Sequence, residues 1–251
     1  MLLSAGEPPL PIACEAHLGL ARIAYERNDL DTASQHTHKS LDLAIQIENV
    51  NTPLFCELLF SKIDLARMDI QGAAEEIARA EQFARQNNFL HHLPEIAAAR
   101  IELLLRNGDT EKALPLAKEF DLPLRMASVY LAQKKASQAL EVVQPYRQQA
   151  EAREWGDELL QADLLEAMAC QSLGKDKEAL ALLDEALTLA EPAGLIRSFI
   201  DRGALIAQLL TRAARQKTKS PYLATLLAAF EQEPQRTTDE ISLSAVQPQF
   251  E

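Results

Sequence analysis

Glycine and aromatic residues are scarce in this sequence: eight glycines and 5% aromatics among 251 residues. Strands favour β-branched and aromatic side chains, and tight hairpins favour glycine, so β-rich architectures are disfavoured. Ala, Leu, Glu, Gln and Arg dominate instead, a helix-forming composition. The three cysteines, Cys14, Cys56 and Cys170, are odd in number and widely spaced, with no CxxC pair. Neither a zinc site nor a disulfide framework is indicated, and buried thiols in a reducing compartment are expected.

Other absences narrow the function. No basic stretch precedes the first apolar run, which Pro8, Pro9 and Pro11 interrupt, so no signal peptide is read. No run of eighteen apolar residues exists to span a membrane. There is no GxxxxGK[ST], GxSxG or HExxH. Gly174-Lys175 follows a helical stretch and lacks the upstream glycine of a phosphate loop. Among the histidines, His36 and His38 are two apart and point to different helix faces, while His17, His91 and His92 form no ligand spacing. The abundant carboxylates single out no catalytic pair, so neither catalysis nor a cofactor is expected. A net charge of −12 opposes nucleic-acid or anionic-membrane binding by bulk attraction. The basic cluster Arg212, Arg215, Lys217 and Lys219 reads as a helix C-terminus.

What the sequence does contain is a recurring phrase. "YERNDLDTA" (Tyr25–Ala33) returns as "ARMDIQGA" (Ala66–Ala73), "RNGDTEKA" (Arg106–Ala113) and "SLGKDKEA" (Ser172–Ala179). Ala33, Ala73, Ala113, Ala139 and Ala179 mark equivalent points at spacings of 40, 40, 26 and 40. An apolar helical stretch precedes each marker and a second follows it, so each unit reads helix A, tight turn, helix B. Asn28, Gly108 and Gly174 suit the left-handed residue that closes a helix. Asp29, Asp69, Asp109 and Asp176 follow as candidate caps for helix B. Met68 and Lys134 replace the Gly or Asn, which predicts looser or shorter turns there. The 26-residue step predicts a stunted helix B at "ALPLAKEF", restarted by Pro123.

A single helix pair cannot bury its apolar face, so the pairs must stack. The expected fold is all-α: a tetratricopeptide-like superhelical solenoid of antiparallel helix pairs, with about five repeats over residues 14–194. Residues 1–13 form a lead-in, 195–230 capping helices, and 231–251 a polar linker. A curved, elongated stack is expected.

"LPIACEAHLGLARIAYERNDLDTASQH", "LAQKKASQALEVVQPYRQQAEA" and "ALALLDEALTLAEPAGLIRSFIDRGALIAQLL" resemble the helical-repeat region of MalT-like activators, ATP-dependent regulators of the LuxR superfamily. The resemblance spans about Pro9 to Phe230. It implies a cytoplasmic sensing or interaction arm that captures a small-molecule inducer or a protein partner and promotes self-association. A DNA-binding domain would follow the linker, making this chain a fragment or a stand-alone remnant of such a regulator. The other reading is a free-standing tetratricopeptide scaffold for protein partners.

In such stacks the A helices line the concave groove. Counting back from each marker alanine places Arg22, Tyr25 and Glu26 there from the first unit. Lys62 comes from the second, Glu102 and Arg106 from the third, and Ser128 from the fourth. Gln161, Met168 and Gln171 come from the fifth. This mixture suits a polar ligand such as a sugar or peptide. The positions carry none of the asparagines of chaperone-type peptide clamps.

Overall fold

The computed structural model describes residues 12–49, 51–216 and 220–233. The expected lead-in, apart from Ile12 and Ala13, and the expected linker, apart from Glu231–Glu233, lie outside these residues. Of the described residues 83% are helical and none lies in a strand.

Five helix pairs follow one another: α1 (Ala13–Glu26) with α2 (Leu30–Gln46), and α3 (Thr52–Ala66) with α4 (Ile70–Gln86). Then come α5 (Leu93–Arg106) with α6 (Thr110–Glu119), and α7 (Pro123–Ala132) with α8 (Ala136–Ala152). The last pair is α9 (Gly156–Ser172) with α10 (Asp176–Ala190). All five marker alanines have no exposed surface. They sit where the two helices of a pair approach, and a larger side chain would separate them. The short repeat appears as expected: α6 and α7 are ten residues each, and Pro123 is the first residue of α7.

The turns correct one expectation. Met68 (φ 65°) and Lys134 (φ 59°) adopt the same left-handed conformation as Asn28 (φ 63°), Gly108 (φ 77°) and Gly174 (φ 75°). Hydrogen bonding matches as well. The amide of Asn28 donates to Tyr25 O and that of Asp29 to Ala24 O; Met68 and Asp69 donate to Leu65 O and Asp64 O. Packing between the paired helices therefore dictates the turn, and Met68 and Lys134 absorb a backbone strain of about 1 kcal/mol. Capping is also uneven. Asp29 accepts from the Thr32 amide at 3.0 Å and Asp69 from Gly72 at 2.8 Å, whereas Asp109 makes no such bond. Asp176 is already inside α10, with Lys175 at the cap.

Buried side chains run from pair to pair. The largest cluster joins α7 to α10 with the C-terminal helices α12 (Ala204–Gln216) and α13 (Pro221–Gln232). Helix α9 is buried almost all round, Leu160 and 162–170 included, because neighbours cover both of its sides.

Elongation is limited by the short helix α11 (Arg197–Ile200). After a left-handed Gly194 the chain turns inward, and the Ile196 amide donates to Glu26 O at 2.6 Å. The end of the repeat array thus meets its first helix, and the superhelix closes around an interior.

Candidate functional site

The interior is organised by the turn that follows α11. Asp201 and Arg202 stand at its centre, reached by side chains from successive A helices. From α1, the Tyr25 hydroxyl donates to Asp201 Oδ2 at 2.8 Å. From α5, the Arg106 guanidinium lies 3.6 Å from Asp201 Oδ1. Arg202 donates to Ser128 Oγ of α7 at 3.4 Å and to Gln161 Oε1 of α9. Gln161 in turn donates to Ser198 Oγ, whose hydroxyl and amide both donate to Glu26 Oε2 at 2.8 and 3.2 Å.

Arg197 locks this arrangement. Its side chain is fully buried among Asn28 Oδ1 (3.1 Å), Asp201 Oδ1 (2.6 Å) and Glu233 Oε1 (2.5 Å). It also lies over the Tyr25 ring, 5.7 Å from the centroid. These carboxylates hold the guanidinium pKa above its already high value despite the burial that opposes it.

A second set of charges faces the same space. Glu102 of α5 receives both Arg106 and Arg125 at 3.4 Å. Burial alone would raise the Glu102 pKa, but Arg125, Arg106 and Arg202 hold it below the ordinary value. Lys62 of α3 lies over the Tyr25 ring at 5.9 Å and, among the described residues, has no carboxylate at ion-pair distance. It is open to the interior yet walled in by protein. Desolvation by those walls and the charge of Arg125 push its ammonium pKa down. Arg202 is shifted down for the same two reasons. Glu26 is shifted up, first by burial and against its hydrogen bonds from Ser198.

Beside this cluster, at the seam between α1, α9 and α11, is a cavity of about 410 Å³. Arg22, Glu26, Asp157, Gln161 and Ser198 contribute its polar wall, while Ile23, Leu160 and Leu195 contribute apolar surface. Arg22 also packs over the Phe55 ring at 5.5 Å.

Of the ten residues expected in the groove, Tyr25, Glu26, Lys62, Glu102, Arg106, Ser128 and Gln161 share this interior, and Arg22 joins them through the cavity. Met168 belongs to the apolar core, and Gln171 donates to Gln208 of α12 at 3.2 Å. Sequence reasoning missed Arg125, Arg197, Ser198, Asp201 and Arg202. The signal for the last four was present in "IRSFIDRG", a short apolar stretch in which two arginines and an aspartate interrupt the hydrophobic pattern.

The histidines form no metal centre: among the described residues no group of three His, Cys, Asp or Glu could hold an ion. Instead His17 and His36 share an Nδ1–Nδ1 contact of 2.8 Å between α1 and α2. Nor is any described helix long and apolar enough to cross a membrane.

A superhelix of antiparallel pairs with small residues at each crossing defines a tetratricopeptide-like repeat protein. The family of MalT-like TPR regions matches residues 2–216, and the chain belongs to it. No curated protein matches the chain. The family places it among regulatory helical-repeat domains.

Proposed function

We propose that this chain is the sensing and interaction region of a transcriptional regulator, which takes a small polar inducer or a short partner segment within its superhelix and mediates self-association. The supporting observation is the convergence of A-helix side chains from all five repeats on one polar interior. A solenoid built only for stability needs no such investment in desolvated charge. Here Lys62, Glu102, Arg106, Arg125 and Arg202 act on one another's charge across that interior.

The chain's own 197–202 segment occupies much of that interior, which favours a small guest over a long extended peptide. A ligand entering at the seam would touch the first repeat, the fifth repeat and α11 together. Its binding energy would then bear on how the two ends of the superhelix meet, the kind of two-state element a regulator uses. The family resemblance supplies the readout: a change in self-association of an ATP-dependent activator.

The test is calorimetric titration of the full chain with oligosaccharides and short peptides, alongside Arg22→Ala and Lys62→Ala. A side chain contacting the ligand through a charge-assisted hydrogen bond is worth about 1.5–3 kcal/mol of binding. Binding lost in both variants with folding intact supports the site. Unchanged affinity in both moves the site out of the interior. Sedimentation velocity with and without the bound ligand tests self-association.

A further inference from the structure

We propose that the interior site takes a small molecule bearing a multivalent oxyanion, its anionic group held by Lys62, Arg125 and Arg202. The proposal rests on the interior being the binding site and adds the chemistry of what enters it.

The first support is a charge imbalance against the trend of the molecule. The protein carries −12 overall, yet Lys62, Arg106, Arg125 and Arg202 converge on a space whose carboxylates are Glu26, Glu102 and Asp201. Those carboxylates are already engaged. Asp201 accepts from Tyr25 and Arg197, and Glu26 accepts twice from Ser198. Glu102 is divided between Arg106 and Arg125. Lys62 is left with an aromatic face and no ion-pair partner among the described residues. Among the described residues Arg202 hydrogen-bonds only neutral oxygens, Ser128 Oγ and Gln161 Oε1, with Glu102, Asp201 and Glu26 favouring its charge from further off.

The second support is mutual repulsion. Burial first, and the charge of Arg125 second, disfavour the charged forms of both Lys62 and Arg202, against the pull of Glu26, Glu102 and Asp201. Like charges gathered in a partly desolvated enclosure are an unfavourable arrangement that a bound anion would relieve. Guanidinium and ammonium groups together match the geometry of phosphoryl or carboxylate oxygens, since Arg offers a planar fork and Lys a point charge.

The third support is room. The 410 Å³ cavity shares Gln161 with the Arg202 contact and Glu26 with the surroundings of Lys62. The uncharged body of a ligand fits there, against Ile23, Leu160 and Leu195, its anionic group reaching past Gln161 and Glu26 to the three cations, which stand outside the cavity lining.

The experiment titrates the full chain at constant ionic strength with pyrophosphate, citrate and chloride, reading heat of binding and Tm. Pyrophosphate and citrate separate a phosphoryl from a carboxylate ligand, and chloride controls for bulk screening. Lys62→Gln, Arg202→Gln and the exposed control Lys112→Gln are titrated in parallel. The expected result is saturable binding of at least one multivalent anion, weakened tenfold or more by Lys62→Gln and by Arg202→Gln but unchanged by Lys112→Gln. Relief of repulsion predicts that ligand-free Lys62→Gln melts no lower than the unmodified protein. A marked fall in that Tm would make Lys62 a structural residue and overturn the proposal. So would absence of anion binding, or binding equal in all three variants. If anions fail but a neutral oligosaccharide or peptide binds in an Arg22-dependent way, the interior remains the site and only the oxyanion assignment falls.

Discussion

The hydroxyl of Tyr25, in the first helix, donates to the carboxylate of Asp201 at 2.8 Å, across 176 positions of sequence. In a repeat array each unit normally touches only its neighbours, so stability accumulates along one dimension. This bond joins the two ends, which makes the first repeat sensitive to the last.

Tyr25→Phe isolates that link, because the ring and its packing are kept. A hydrogen bond to a charged acceptor contributes about 1.5–3 kcal/mol, and the low end is expected because Arg197 and Arg106 still compensate Asp201. Thermal unfolding should fall by several degrees with helicity unchanged. A Tm equal to that of the unmodified protein would mean the seam carries no stability.

Arg197→Met is the harsher lesion. Its guanidinium has no exposed surface and compensates both Asp201 and Glu233. Removing one partner of a buried ionic network typically costs about 3–5 kcal/mol, since the remaining charges stay desolvated. The variant should lose contact between α11 and α1 before the α3–α4 pair melts. Hydrogen exchange would show early exposure of the Ile196 amide, which bonds Glu26 O. Uniform loss of protection along the chain would contradict this order.

The turn residues test how far local chemistry governs the repeat. Gly108 has φ 77° with nothing near its missing Cβ, so Gly108→Ala should cost about 1 kcal/mol from backbone strain alone. The reverse exchange, Lys134→Gly at φ 59°, should stabilise by roughly 0.5 kcal/mol, strain relief being offset by a freer unfolded chain. Urea unfolding of the two variants reads both signs. Destabilisation by Lys134→Gly would show that its side chain does more than tolerate the turn.

These turns also mark what the sequence can disclose. The helix pairs, marker alanines and shortened third step are repeated or local signals, so each copy corroborates the others. Met68 and Lys134 misled because packing between paired helices overrides a single residue's preference. The inner positions of Tyr25, Lys62, Glu102, Arg106, Ser128 and Gln161 followed from counting alone. The inward course of 197–202 could not be counted. It occurs once, and its partners lie up to 176 residues away. A buried Arg197 is legible only after Asn28, Asp201 and Glu233 are known to meet around it.

The last prediction concerns pH. Asp163 of α9 has no exposed side-chain surface, and burial pushes its pKa up to about 6 although Arg147 bonds it at 2.5 Å. Glu166 and Glu185, both ion-paired to the same Arg147, add to the upward push. Glu76 of α4 is pushed up to about 7, by burial and by the hydrogen bond it shares with Glu57. Unfolded carboxyls titrate near 4, so between about pH 4 and 7 the native state holds more protons than the unfolded one. Stability must then fall as pH rises through that window, by about 2–3 kcal/mol from Asp163 alone. His17 acts in the opposite sense. Burial and the neighbouring His36 and Lys39 lower its pKa, so it stabilises the fold as it loses its proton and offsets part of the decline. Below about pH 4 the carboxyls of Glu81 and Glu102, held low by arginines, protonate and withdraw their own stabilisation. The maximum should therefore lie near pH 4, well on the acid side of neutrality. Asp163→Asn removes the titrating group while Arg147 keeps Glu166 and Glu185, and it should flatten the curve between pH 5 and 7. Urea unfolding from pH 4 to 8 measures both curves. Stability rising steadily from pH 5 to 8, or an unchanged slope in Asp163→Asn, would show that the Arg147 contact outweighs burial and holds Asp163 ionised throughout.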